Sequence, residues 1–385
     1  MANNTYTEAD LINIASRITG FGAAKSGAYS VFSGINALAG IPALPHNTDS
    51  QGLVFYTKPC LNLSYDNVIG IRKMVFLTDY GENSMGNIIR CMLSPPFMYE
   101  ETSSSYVLGK TGTRSAIIDD KCAFMPITNL LLKQSPPPDM VADTYTSNEG
   151  YAKEQISFVD SKAFINNQYD LTATFQNMEG DPITSLFTTW IEYMQFVGDG
   201  TMLPYPIMIL SNEIDYQTRI WRLVLDRSKT FVQDIFATGA SFPTTNPIGA
   251  KFGFSRDTHL DQESKEIMIN FRCIGAIYND PILIMEFNQI VSTFNPAMSD
   301  KLRDQSMVKI KGMTPDGITL KNLFNYKMYP RIAPSMELEW YASKSDYDLI
   351  TNMLTNLTIS NINTNSNLGA SSISSVPNWN QTLVK

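Results

Sequence analysis

The chain has 385 residues, 43% of them apolar, enough to bury a sizeable core, and its length suits two or three domains or one domain with large insertions. Charged residues are only 17%, below the roughly 25% of an average globular protein, so Asn, Ser and Thr must cover much of the surface. A formal net charge of −8 and a pI near 4.9 give a field that repels phosphate, which argues against a nucleic-acid-binding module.

Thr7 and Asp10 have capping-box spacing ahead of Leu11, Ile14, Ala15 and Ile18, which predicts a short N-terminal helix. Residues Gly20 to Gly40 are rich in Gly, Ala and Ser and read as an arm that orders on a neighbour. The run Leu53 to Leu63 is predicted extended, with Pro59 marking an edge or bend, and a second apolar run, Ile88 to Leu93, stops at Pro95-Pro96. Glu101 to Ser115 reads as a long polar loop. The run Ser135-Pro-Pro-Pro-Asp139 predicts a linker, with a domain boundary between it and Gly150.

Tyr169, Leu171, Ala173 and Phe175 alternate with polar residues, the signature of a half-buried strand. After Gly180, Asp181 is predicted as an N-cap and Pro182 as the first helical residue. Ile183, Leu186, Phe187, Trp190, Ile191, Met194 and Val197 then keep one apolar face for four turns, and Gly198 is expected to close the helix. Ile220 to Leu225 is a predicted strand, and Phe236 to Pro243 reads as a turn-rich approach to a loop. A long strand follows through Ile267, Ile269, Phe271, Cys273 and Ile277, with Pro281 ending or bulging it. Gly317 to Tyr326 is expected to be a strand and turn. Ser345 and Asp348 open a capped helix bearing Tyr347, Ile350, Leu354 and Leu357, and an extended tail runs from Thr358. This order lacks a βα repeat and predicts an α+β fold with an antiparallel sheet.

No motif for catalysis or cofactor binding holds together. Gly109-Lys110-Thr111 lacks the first glycine of a phosphate-binding loop, and Gly20-Phe-Gly22 lacks the third glycine of the dinucleotide fingerprint. Lys110-Thr111-Gly112 and Ser306 to Lys309 match elements of penicillin-recognising enzymes in the wrong order. Asp257, His259, Asp261 and Glu263 cluster without the calcium-loop pattern and read as a solvated turn. Cys60, Cys91, Cys122 and Cys273 form no CxxC pair and are expected to be free thiols, and His46 and His259 are the only histidines, so a zinc site is not expected. The N-terminus carries no signal-peptide pattern and no apolar run reaches the roughly 18 residues of a membrane span, so the expectation is a cytoplasmic protein without cofactor, metal or membrane partner.

The strand Leu171-Thr-Ala-Thr-Phe-Gln176, the acidic turn and the helix with Phe187-Thr-Thr-Trp-Ile-Glu-Tyr193 resemble the tail tube proteins of contractile bacteriophages. The stretch Ala237-Thr-Gly-Ala-Ser-Phe242-Pro243-Thr-Thr245 and the strand Glu266 to Arg272 resemble that family's Phe-Pro loop and final strand. The resemblance spans residues 155–290. It implies a β-sandwich or barrel with a flanking helix, carrying long insertions and terminal arms. The segments would then be an arm (1–50), a β-containing region (51–150), a tube-like core (151–300), a strand and helix region (301–357) and a tail (358–385). It further implies a non-enzymatic virion protein that forms hexameric rings around a channel for DNA ejection, assembled in the host cytoplasm. Its partners would be its own copies and the sheath, baseplate or neck proteins, with no specific hold on the DNA that passes. On this reading Phe175, Ile183, Phe187, Trp190, Ile191 and Phe271 form the core, and Thr172, Thr174, Phe242, Pro243, Asn270 and Arg272 face the lumen or a neighbouring subunit. A baseplate hub or tube initiator and a neck terminator stay open as alternatives. So does a receptor- or carbohydrate-binding virion protein using Tyr145, Tyr151 and Trp379.

Overall fold

The computed structural model describes residues 51–94, 118–159, 167–252, 256, 266–310 and 327–352, less 80, 82, 120, 140, 141, 143, 227 and 228. The expected N-terminal helix and arm, the 101–115 loop, the 317–326 strand, Leu354, Leu357 and the tail lie outside them.

A six-stranded antiparallel sheet organises the chain. Its strands are β1 (Gln51–Tyr56), β2 (Leu131–Gln134), β5 (Gln168–Gln176), β6 (Ile220–Leu225), β7 (Val232–Thr245) and β8 (Glu266–Tyr278), in the order β1-β6-β7-β8-β5-β2. Between β2 and β5 lies a separate hairpin, β3 (Thr144–Thr146) with β4 (Ser157–Val159). A three-stranded sheet, β10-β11-β9, is formed by β9 (Met307–Lys309), β10 (Tyr329–Ile332) and β11 (Leu338–Ser343). The large sheet curls until side chains bridge its ends. Gln134 on β2 donates to the Tyr56 hydroxyl on β1 at 3.2 Å, and the Arg222 guanidinium on β6 donates to Gln134 at 2.9 Å. No ladder joins β1 to β2, so among the described residues the strands make an open curl, coarser than the expected sandwich or barrel.

The run Ile88 to Leu93 belongs to helix α1 (Met85–Leu93), whose cap is Ser84 accepting from the Asn87 amide. The proline run 135–139 leads on from β2 and is held to the sheet. Arg222 and the Tyr278 hydroxyl donate to the carbonyls of Ser135 and Pro138.

Helix α2 (Pro182–Gly198) buries Ile183, Leu186, Phe187 and Trp190, the i, i+3, i+4, i+7 stripe that its sequence predicts, and adds Tyr193, which was not expected, while Ile191, Met194 and Val197 are only half-buried. Its rings continue the sheet's aromatic core. Phe187 lies 5.6 Å from Phe175 and 5.8 Å from Phe271, and the Trp190 indole donates to the Tyr216 carbonyl at 3.0 Å. Both ends differ in detail from expectation. Asp181 makes no cap bond and instead accepts from Asn177 at 2.5 Å, and the left-handed turn that stops the helix falls at Gly200.

A six-residue helix, α3 (Pro206–Ser211), follows α2, and α4 (Pro281–Phe294) follows β8. Pro281 ends the strand as expected, but it does so as the first residue of α4, with Asp280 accepting from the Ile282 amide. Helix α4 buries Leu283, Ile284, Phe287 and Val291 beneath Trp221 and Leu223 of β6. Asn288 then grips the backbone of β10 at Ile332, donating to its carbonyl and accepting from its amide. Both α2 and α4 begin at an Asp-Pro pair, but only Asp280 caps its helix.

The small sheet carries an ionic cluster. Glu339 accepts from Lys309 at 2.8 Å, Arg331 at 2.9 Å and the Tyr341 hydroxyl at 2.9 Å. Burial alone would raise its carboxyl, but these donors together outweigh it and hold it below its ordinary value. With the folded pKa depressed, its stabilisation is complete above the unfolded value and is lost as pH falls through the folded one. The protection factors of residues 329–343, taken against the intrinsic exchange rate at each pH, are therefore expected to fall as pH drops from 5 to 3, and Glu339→Gln should remove most of that step.

Candidate assembly surface

The β5–β8 pair divides its residues by face. Leu171 opposes Phe271, Ala173 opposes Ile269 and Phe175 opposes Ile267, all buried against α2 or its neighbours. The intervening positions pair Asp170 with Arg272, Thr172 with Asn270 and Thr174 with Met268. Arg272 meets Asp170 at 3.0 Å, both of them partly exposed, and the Thr172 hydroxyl donates to Asn270 at 2.9 Å. Phe242 of β7 stands opposite Arg272 and extends this strip.

Four of the six residues assigned to the lumen or a neighbour, Thr172, Phe242, Asn270 and Arg272, thus come together. Thr174 is buried beside β2, and Pro243, paired with Phe271, is buried too. Met268 and Ile274 belong to the exposed strip and were legible from strict alternation with Ile267, Ile269 and Cys273. Of the residues assigned to the core, Phe175, Ile183, Phe187, Trp190 and Phe271 are buried.

Phe242 and Pro243 lie inside strand β7, not in a loop. The reason is local. Beyond Ser241, which bridges Thr218, β7 loses its neighbour on the β6 side, so the absent proline N–H removes no ladder bond there. A register shift follows between Pro243 and Thr245, where Thr244 donates to the Asn270 carbonyl and the Asn270 amide donates to Thr245.

The outer strands are covered unequally. The end of β1 is covered by residues 123–125, with the Met125 amide donating to Tyr56 and a bridge from Thr57 to Phe124. Neither β1 along 51–55 nor β2 along 131–134 has a second strand partner among the described residues. Such edges are templates for pairing with another chain.

Other chemistry is sparse. Among the described residues no group of three or more His, Cys, Asp or Glu could hold a metal ion, and no helix is long and apolar enough to cross a membrane. The Asp257 to Glu263 cluster and the Lys110 element lie outside the described residues. All four cysteines are free; burial pushes Cys60 up to about 12 and Cys273 up to about 11, which leaves both thiols un-ionised near neutral pH.

Residues 2–360 match the model of a family described as "Putative phage tail tube protein". No curated protein matches the sequence. Among solved structures, one similar chain comes from the tube-terminating cap of the anti-feeding prophage, at 14% identity and a TM-score of 0.26, covering 40% of this chain and 81% of that one. A second comes from the extended sheath–tube complex of the extracellular contractile injection system PVC, at 13% identity and 0.24, covering 40% and 82%. A third comes from the sheath/tube terminator of the same system, at 11% identity and 0.24, covering 40% and 86%.

Proposed function

The chain belongs to the phage tail tube family, and from that premise we propose that it is a virion structural protein whose copies close into rings that stack as the tail tube. The observation that carries this reading is the match over residues 2–360, which takes in the long strands β7 and β8 and the two incompletely covered sheet edges. Joining those edges between copies would satisfy their backbone groups and extend the curl into a continuous wall. Hexameric closure, the usual economy of a six-fold tube, is our specific expectation.

The role is geometric and involves no catalysis. The strip of Thr172, Asn270, Arg272 and Phe242 would line the channel or meet the next copy, and the net charge of −8 would let DNA slide through during ejection without adhering. We assign residues 151–300 to the tube-like core, with β1 and β2 from 51–150 extending its sheet at either edge. The arm at 1–50, the region 301–357 and the tail from 358 then serve contacts along the stack and with sheath, baseplate or neck proteins. The site of action is the tail of the virion, after assembly in the host cytoplasm.

Mass measurement in solution tests the reading. A particle holding six copies of the 43.0 kDa chain, or longer multiples of it, is expected. A species that stays at one copy at every concentration and beside tail partners would refute it.

A further inference from the structure

The hairpin β3–β4 is amphipathic, although all six of its strand residues are exposed. Tyr145 pairs with Phe158, and Ile156 lies two residues before Phe158, so these three share one face. They are 65%, 59% and 57% exposed. The other face carries Thr144, Thr146, Ser157 and Val159, with the Thr146 and Ser157 hydroxyls 3.1 Å apart. An isolated two-stranded hairpin is marginal in water, and an aromatic face in solvent adds to that cost.

A second apolar surface on the same chain is equally bare. Helix α3 has no buried residue; Leu210 is 83% exposed, and Leu203, Ile207, Ile209 and Ile214 are exposed around it. We infer that the hairpin face of one copy docks on the α3 surface of the next copy around the ring. This rests on the ring-forming function proposed above and names one contact that builds the ring.

Several observations favour a second copy as the occupant. The two surfaces are both apolar, belong to one chain and are exposed among the described residues. A hairpin-to-hairpin contact would close at a dimer and leave α3 bare, whereas hairpin-to-α3 is head-to-tail and propagates until the ring closes. Area points the same way. If each of the eight side chains, two of them aromatic and six aliphatic, loses roughly 60–100 Å², together they remove on the order of 600 Å². That is below the ~1,200 Å² of a stable pairwise complex, so the contact suits a ring, where many copies act together. A polysaccharide is the poorer fit, because the hairpin face offers aliphatic Ile156 in place of converging hydrogen-bonding groups.

Directed disulfide trapping in the full chain tests the contact. Phe158→Cys and Leu210→Cys are made singly and together, and the wild-type chain sets the background from the native thiols, two buried and two partly buried. Mixed single variants, oxidised after assembly, are expected to give a 158–210 disulfide identified by peptide mass, and the double variant a ladder of covalent multimers beyond the dimer. Phe158→Asp and Leu210→Asp should each weaken assembly at least tenfold with an unchanged melting temperature, since both sites are on the surface. Rings that form with only 158–158 or 210–210 links, or with none, would overturn the inference while leaving the ring reading intact, and would give the hairpin face to a sheath protein or a polysaccharide. A wild-type protein that never assembles would overturn both.

Discussion

Trp190→Ala is expected to destabilise the protein by about 3–5 kcal/mol, the cost of emptying a buried aromatic site. Trp190 is fully buried, stacks with Phe187 at 6.1 Å, and donates its indole N–H to the Tyr216 carbonyl at 3.0 Å. The indole therefore fastens α2 to the connection that enters β6 and backs Phe187, the ring that meets the sheet. Its removal leaves a void beside Phe187, which itself touches Phe175 and Phe271, so the loss reaches both faces of the helix–sheet contact. Thermal unfolding should shift downward on the order of 10 °C. Trp190→Phe keeps most of the apolar volume and forfeits the hydrogen bond, so its loss should be nearer 1 kcal/mol. Equal melting temperatures for wild type and Trp190→Ala would mean that α2 does not pack through this face.

Asp215→Ala should be nearly as damaging, for a different reason. The buried carboxylate of Asp215 accepts from the Tyr193 hydroxyl and from the Tyr205 amide at 3.1 Å, and Tyr193 in turn accepts from the Asn62 amide at 3.0 Å. One side chain thus ties the loop after β1, helix α2 and the connection that carries α3. Removing the shared acceptor of two donors is expected to cost about 2–5 kcal/mol. Asp215→Asn keeps an acceptor oxygen and behaves differently. Burial pushes the Asp215 carboxyl up, and its hydrogen bonds pull it only part of the way back. A raised folded pKa means the native state holds its proton longer, so stability declines as pH climbs from the unfolded value through the folded one. Asp215→Asn abolishes that decline and should match or exceed wild type at neutral pH in urea unfolding. A variant as unstable as Asp215→Ala would show that the negative charge itself is required.

The opposite signs at Asp215 and Glu339 follow from their surroundings. Neutral donors alone, the Tyr193 hydroxyl and the amides of Tyr205, Asp215 and Tyr216, only partly offset burial at Asp215, whereas two cations and a hydroxyl surround Glu339. Neither environment is visible in the sequence, because Lys309 reaches Glu339 across 30 residues and Tyr193 reaches Asp215 across 22.

What was legible depended on periodicity and local punctuation. The period of α2 placed Phe187 and Trp190 in the core, and the alternation of β5 and β8 gave the polar strip its members. Thr174 and Pro243 escaped that logic because their burial is set by neighbouring strands, β2 in one case and the β7–β8 pairing in the other. The strand through Phe236 to Pro243 was hidden by Gly239 and Pro243, residues that read locally as turn. The structure explains Gly239 by close approach, since a Cβ there would lie 2.7 Å from the Ile274 carbonyl oxygen. Asp280-Pro281 is the same pair as Asp181-Pro182 and marks the start of α4, but Pro281 comes just after a long strand and its local sequence fits a strand breaker equally well. Helix α3 left only a short run, Pro206 to Leu210, too brief for a period to emerge.

Electron microscopy of the purified, assembled protein tests the central claim most directly. The account predicts closed rings, singly or stacked, each with an open central channel walled by β-sheet that runs unbroken from copy to copy. Particles without a channel, or a ring whose subunits meet only through helices while the edges of β1 and β2 face solvent, would contradict it.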